Sequence, residues 1–312
     1  MKQFVIKRLV HLIAVLIGIS LLSFILANIA PIDPAEAYVR SITKAPTAEM
    51  LEQYREKFGF NRSVHEQYLL WLKNAIHMDF GVSYTTGKPA MRILLGGIST
   101  TLTLAGISCL LIPMFGCTLG ILAAHREGTC TDKIIIGISF FSISVPGYFL
   151  GLICLLLFGI HLKIMPIVGH DNPAALLCAA FVLSFPMIGS LSRILRTLLL
   201  ETKSSPYVMY AKARGISRRN IMFNHLLRNA APPCIVMFGN NIGYLLAGTA
   251  IVESIFSFPG TGKIALNAAL NRDFPVINAY IVMMGVCFVL CNMAAETAGL
   301  MLNPRLLRRD CT

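Results

Sequence analysis

The chain has 312 residues, 55% of them hydrophobic and only 13% charged, with a formal net charge of +12. A soluble domain of ordinary makeup carries about 25% charged residues, so a large soluble protein is excluded. The cationic excess needs no nucleic acid, because basic residues gathered at a membrane surface are held by anionic headgroups.

The first apolar run, roughly Leu9–Pro31, is about as long as a bilayer crossing and longer than the 7–15-residue core of a signal peptide. It is expected to stay as an uncleaved first span. Residues 31–97 form the only substantial polar stretch. Pro46-Thr47 with Glu49 opens a predicted helix at Thr47, and Gly59 closes it after Phe58. A second helix is expected over about Ser63–Ile76, with Tyr68, Trp71 and Leu72 on one face. Asp79–Tyr84 and Gly87-Lys-Pro89 read as turns. This stretch is too small for an independent enzyme and is expected to cap the membrane part on its outer side.

Five more charge-free runs follow, near Ile98–Ala124, Ile134–Ile160, Ala174–Ser192, Ala230–Val252 and Pro275–Ala295. Each approaches the about 20 apolar residues of a membrane helix. Pro146 and Pro186 are expected to interrupt the third and fourth. Pairs of glycines four apart, Gly116/Gly120, Gly147/Gly151 and Gly239/Gly243, allow close helix contact. Polar residues within the spans mark either interhelical glue or a pathway lining: Ser144, Tyr148, Ser184, Ser190, Asn240, Asn241 and Tyr244. The segment Glu253–Pro275 is too apolar for an ordinary loop and suggests an interfacial or re-entrant element on the outer side.

With the start placed inside, 16 of the 27 Lys and Arg residues fall on inner segments, opposed only by Glu127, Asp132, Glu201 and Asp310. The positive-inside rule then puts both ends in the cytoplasm. The nine cysteines lie in spans or inside, where they read as small apolar fillers.

Several chemical motifs fail on inspection. Gly260-Thr-Gly-Lys263 resembles part of a phosphate loop, but Ser257 stands where its first glycine belongs and Ile264 where its metal-binding Ser or Thr belongs. The chain is therefore not expected to bind ATP itself. His161, His170 and Asp171 could ligate a metal, yet their spacing fixes no geometry. Glu296, near the inner end of the last run, is expected to pair with Arg305.

The strongest signal is the basic inner loop of residues 201–229. Ser205-Pro206 opens a helix over Tyr207–Arg214, and Gly215 ends it in a left-handed cap. A second helix from about Ser217 carries Arg218, Arg219, His225 and Arg228, before Pro232-Pro233 restarts the chain into the membrane. A short helix pinned between two spans can transmit a push from a soluble partner, and the small Ala211, Ala213 and Gly215 favour close fit into a partner's groove.

These residues resemble the coupling loop of binding-protein-dependent ABC importer permeases of the dipeptide/oligopeptide/nickel branch. That family carries a Y-x-x-x-A-R-A-x-G-like run and an H-x-L-R-N-like run, here Tyr207…Ala211-Lys-Ala-Arg-Gly215 and His225-Leu-Leu-Arg-Asn229. Lys212 departs from the commoner Arg. The likeness extends to Asp79-Phe-Gly81, Glu253…Phe256…Pro259-Gly-Thr-Gly262, Asp273-Phe-Pro275 and Leu302-Asn-Pro-Arg305, and so covers essentially the whole chain.

The resemblance implies an all-α membrane protein of the bacterial inner membrane with six transmembrane helices and a type I, MetI-like permease core. It implies a first span and cap over 1–97, the transmembrane domain over 98–300 and a cytoplasmic tail over 301–312. Docking to a cytosolic ATPase would fall to Tyr207, Tyr210, Ala211, Ala213, Arg214, Gly215, Arg218, His225, Arg228 and Asn229. The expected partners are a second permease in a heterodimer, two ATPase subunits holding ATP and Mg²⁺, an extracytoplasmic solute-binding protein, and lipid. No cofactor is expected on this chain. The residues around 76–80 and 271–275 lean toward nickel or a metal chelate, with peptides as the alternative. A membrane enzyme using Glu296 or His225, and a membrane sensor or scaffold, are the readings from other classes.

Overall fold

A computed structural model describes residues 2–29, 34–43, 45–167 and 172–302. The described chain is helical apart from turns and one isolated bridge between Val82 and Pro89. It divides into two compact units, one of residues 1–101 with 259–289, the other of residues 102–258 with 290–312.

In the first unit, α1 spans Lys2–Ile29, α2 Pro34–Ile42, α3 Ala48–Phe58 and α4 Val64–Ile76. Local chemistry sets the ends of α3. The Thr47 hydroxyl accepts from the Met50 N–H at 3.3 Å, and Gly59 closes the helix with φ +73°. A side chain is disfavoured in that left-handed conformation, and glycine is not. At the start of α4 the Ser63 N–H donates to Glu66 Oε2 at 3.2 Å. Hydrogen bonds from Ser63 hold the Glu66 carboxyl below its usual range. Trp71 joins an aromatic cluster with Tyr68, Phe24 and Phe80, with ring centroids 6.1–6.3 Å from its own. The sequence reading had no helix at Pro34–Ile42. It is braced by Arg40 pairing with Glu36 one turn earlier at 2.6 Å.

The 36-residue α5, Ala90–His125, begins in this unit, as does α13, Phe274–Leu302. Between them in sequence, α12 covers Thr261–Leu270. At Gly97 an added Cβ would stand 2.8 Å from the backbone of Gly260 and Thr261. There the Thr261 N–H donates to Thr101 Oγ1 at 2.9 Å. Thr261 is buried and serves helix packing, so the Gly260–Lys263 run has no phosphate-cradling role in this fold.

The second unit is organised around α8, Pro173–Lys203. Its other helices are α6, Cys130–Ser144; α7, Gly147–Cys154, which continues as a π-helical segment Leu155–His161; α9, Pro206–Ala213; α10, Arg218–Asn220; and α11, Leu227–Ile255. Small residues let these helices approach. Gly116 and Gly120 of α5 lie against Leu191, Ser192 and Leu195 of α8, as the glycine spacing predicted. Gly239 lies against Ala295, whereas Gly147 faces open space. An equally tight approach, at Gly189, was not singled out from sequence. A Cβ there would collide with Ser142 Oγ and stand 2.9 Å from Ser139 O. Ser139 and Ser192 hydroxyls bond across the same seam at 2.8 Å. Gly189→Ala is therefore expected to cost about 1–3 kcal/mol through overpacking. Gly137→Ala, where nothing lies within 4 Å, should be neutral or mildly stabilising. Melting temperatures of the two purified variants in detergent check this contrast.

Four described helices are long and apolar enough to cross a membrane: Ala90–His125, Pro173–Lys203, Arg218–Ile255 and Phe274–Ala295. The third sequence run is not a straight span. It breaks between Ser144 and Gly147, and its halves are bent by 102°. Pro146, expected to interrupt this run, does so. Pro186 does not, and α8 runs through it. Pro232 and Pro233 also lie inside α11 and restart nothing.

Candidate functional site

The basic loop of residues 201–229 folds as a helix, a turn and a π-helical segment leading into α11. Ser205 precedes Pro206 at the first position of α9, where the missing N–H costs nothing. Gly215 adopts φ +74°, and the Ile216 N–H returns to the Ala211 carbonyl at 3.2 Å. Ser217 then caps α10, its hydroxyl accepting from the Asn220 N–H at 3.4 Å, and Ile221–Leu226 wind as a π-helix before α11.

The two faces of α9 differ in kind. Val208 and Ala211 are buried, together with Ile221 and Leu226 of the π-helical segment. Tyr207, Met209, Tyr210 and Arg214 are exposed, with Tyr210 at 66%. The Arg214 guanidinium lies 5.8 Å from the Tyr210 ring centroid, within cation–π range. The structure thus presents a ridge of Tyr207, Tyr210 and Arg214, at helical spacing of three and four. Ala213, Gly215, Arg218 and Arg228 are exposed beside it. Ala211, read from sequence as part of a docking surface, is packed inward instead. Its small side chain lets α9 sit close to the chain behind it.

Three more of the loop residues come together. Asn229 Nδ2 donates to the Tyr207 hydroxyl at 2.8 Å and to the His225 carbonyl at 2.8 Å. The Tyr207 and His225 rings lie 6.5 Å apart. These contacts brace α9 against the start of α11, so a displacement of one reaches the other. His225 is thereby part of a packing contact, with no acid or nucleophile of the described residues bonded to it. In the same unit, Arg196 grips Asp132 through two bonds of 2.6 and 2.8 Å, and the Gly128 N–H also donates to Asp132. Behind α9 lies a cleft of about 570 Å³ whose walls include Leu199, Val208 and Leu226.

The polar residues expected along a pathway separate into two sets. Tyr148 and Tyr244 line one pocket of about 250 Å³ with Gly147, Pro186, Met187 and Gly248. Tyr244 is 76% exposed. Ser184 is fully buried and its hydroxyl donates to the Phe181 carbonyl, away from that pocket. Ser144 likewise bonds back to Phe140 O at 2.9 Å, and Asn241 to Met237 O at 2.9 Å. Asn240 is exposed and Ser190 half-buried. Among the described residues no three His, Cys, Asp or Glu side chains gather at one point. His170, Asp171 and the expected Glu296–Arg305 pair fall outside the described side chains.

One cluster escaped the sequence reading. Asp273, 1% exposed, accepts from Ser83 Oγ at 2.5 Å, Thr85 Oγ1 at 2.9 Å, the Tyr84 N–H at 3.1 Å and the Thr85 N–H at 3.4 Å. The two loops read separately as turn and motif are thus one latched structure within the first unit.

Comparison with known proteins places this architecture. The profile of binding-protein-dependent transport system inner membrane components matches residues 116–308, and the N-terminal profile of the same systems matches residues 1–105. The chain belongs to this family. It is a permease subunit of an ABC importer, multi-pass in the inner membrane, and its family is one of transport proteins rather than enzymes. Within the family it is similar to the metal-staphylopine import system permease of Staphylococcus aureus, at 32% identity over 98% of both chains. It is 32% identical to the oligopeptide transport system permease AppB of Bacillus subtilis, over 98% of this chain and 99% of that one. It is 29% identical to the glutathione transport system permease GsiC of Escherichia coli, over 98% and 99% respectively. The inward-facing MetNI methionine ABC transporter shares the fold, with TM-score 0.58 at 18% identity over 68% of this chain and 97% of that one. Permeases of this family work with a substrate-binding protein and with ATPase partners.

Proposed function

We propose that the ridge of α9 is the ATPase-coupling surface and that its displacement drives the pathway between inward and outward access. The observation carrying this reading is the division of α9 into an exposed Tyr207–Tyr210–Arg214 ridge and a buried Val208–Ala211 base. A helix built this way takes force on one side and passes it to α8 and α11 on the other. Tyr and Arg are also the residues that most often anchor protein interfaces. Arg218, His225, Arg228 and Asn229 complete the loop as brace and rim.

In this reading the chain has six membrane helices, with α1 as the first and the bent α6–α7 segment as the third. The cap over 31–97 lies outside and both ends lie in the cytoplasm, in keeping with the Lys and Arg bias. A second, homologous permease completes the pathway as a heterodimer. ATP and Mg²⁺ are held by the ATPase subunits, and this chain carries no cofactor. The pathway half contributed here is the pocket of Tyr148 and Tyr244, with Ser144, Ser190, Asn240 and Asn241 nearby in sequence. Aromatic and apolar lining suits a peptide or a metal held inside a peptide-like chelator better than a bare cation, and the metal-staphylopine, oligopeptide and glutathione systems of its relatives agree with that class.

The test is reconstitution of the full transporter in proteoliposomes. Tyr210→Glu with Arg214→Glu should insert at the wild-type level yet lose uptake by about 30-fold, the effect of removing interface anchors worth about 2 kcal/mol. Uptake equal to wild type would refute the docking role. Competition between nickel chelates and short peptides in the same vesicles would settle the substrate class.

A further inference from the structure

The cleft behind α9 has a composition that coupling alone does not require. Its rim gathers His125, Lys203, Lys212 and Arg218, and no carboxylate lines it among the described residues. Lys203 is matched by Glu127 at 2.6 Å, just outside the lining. Lys212 and Arg218 make no ion pair among the described residues. Helix ends explain part of this charge, since His125, Lys203 and Lys212 sit in last turns, where the helix dipole favours cations. Arg218 opens the continuous helix Arg218–Ile255, where the dipole opposes a cation. Convergence on one cavity is left unexplained, and so are the apolar walls beneath the cationic rim.

We propose that this cleft binds the phosphate-bearing headgroup of an anionic phospholipid, with the start of its acyl chains along Leu199, Val208 and Leu226. Arg218 and Lys212 hold the phosphate, Arg by paired N–H donors and Lys as a point charge. Basic pockets between membrane helices on the cytoplasmic side are suited to such headgroups. The apolar walls decide between a lipid and free phosphate, because an inorganic ion gains nothing from burying leucine and valine. Lys212 and Val208 are one turn apart on the inner side of α9, so a lipid there leaves the Tyr207–Tyr210–Arg214 ridge free. Lipid composition would then set the resting position of α9. The inference is independent of the substrate. It shares Arg218 with the rim of the proposed docking surface, whereas Lys212 lies across α9 from Tyr210 and Arg214, so lipid retention by Lys212→Gln reads the cleft separately from docking.

The experiment uses the assembled transporter in nanodiscs of phosphatidylcholine containing a minor fraction of phosphatidylglycerol, with retained lipid read by native mass spectrometry. Wild type should retain phosphatidylglycerol selectively, and millimolar inorganic phosphate should not displace it. Lys212→Gln with Arg218→Gln should reduce retention by about 30-fold, and Lys212→Gln alone by about 5-fold, as expected for the loss of two basic contacts or one. Arg219→Gln, one residue away but outside the lining, should behave as wild type. Equal loss in Arg219→Gln, or full retention in Lys212→Gln, would reduce the effect to diffuse surface charge and overturn the site. Displacement by inorganic phosphate would make it a free-anion site and overturn the lipid assignment.

Discussion

Asp273→Ala is expected to destabilise the first unit by about 4 kcal/mol. The carboxylate accepts four hydrogen bonds, two from hydroxyls and two from backbone N–H groups, and is almost wholly buried. Bonds to a charged acceptor contribute about 1.5–3 kcal/mol each, but neighbours sharing one acceptor do not add. Removal also strands the N–H of the buried Tyr84. Asp273→Asn should fall between the two, because the amide oxygen still serves Tyr84 and the hydroxyls can turn to donate elsewhere or accept from the new NH₂ group. The measurement is limited proteolysis of the purified protein, following cleavage between residues 77 and 89 with temperature. Early cleavage in Asp273→Ala, intermediate in Asp273→Asn, is the expected order. An unchanged cleavage temperature in the alanine variant would show that the loop is held by other contacts. The result also bears on substrate, since residues 271–275 leaned toward metal on sequence alone, whereas Asp273 is committed to holding a loop.

The parts of the fold legible in the sequence are those decided within a few residues. Thr47 and Gly59 bracket α3 because a hydroxyl cap and a left-handed closure are local events. Ser63 and Glu66 fix the start of α4 in the same local way. The long apolar runs announce helices because a bilayer leaves the backbone no other way to satisfy itself. Legibility fails where packing decides. Pro146 and Pro186 look equivalent in sequence, each losing one backbone donor. At Pro146 the preceding Val145 is extended, with ψ 122°, and the chain turns away. At Pro186 the flanking Leu183, Ser184, Ile188 and Gly189 are buried on their neighbours, and that packing holds the helix through the missing bond.

The loop of residues 201–229 shows the same division. Its helix, its glycine cap and its charge were readable, because each is a matter of residue type and order. Which residues point outward was not. Ala211 was grouped with Ala213 for its size, and only the phase of α9 separates them. The Tyr207–His225–Asn229 brace joins residues up to 22 positions apart in sequence, across a glycine turn and a π-helical segment. A π-helix shifts register relative to 3.6 residues per turn, so ordinary helical spacing could not have aligned them. Ser83 and Asp273, 190 residues apart, lie further still beyond sequence reasoning.

Asp132→Ala is expected to cost about 3–5 kcal/mol, the range for removing one partner of a buried ion pair. Asp132 is 2% exposed, takes both arms of the Arg196 guanidinium and also receives the Gly128 N–H. Without it the Arg196 side chain, itself only 22% exposed, keeps its charge and has no acceptor among the described residues at that place. The pair joins the start of α6 to the last third of α8, the helix that leads into α9, so uptake should suffer along with stability if α9 couples as proposed. Arg196→Leu alone should be similarly costly, because it leaves the carboxylate unpaired. The double change Asp132→Leu with Arg196→Leu should recover much of the loss, since an apolar pair of similar volume pays no desolvation penalty. Thermal midpoints of the four proteins in detergent give the cycle, and uptake in proteoliposomes read on the same four separates stability from transmission. A double variant as stable as wild type but unable to couple would assign the ion pair to force transmission. A double variant as unstable as either single change would mean that packing around Gly128, and not the charge pair, holds this corner together.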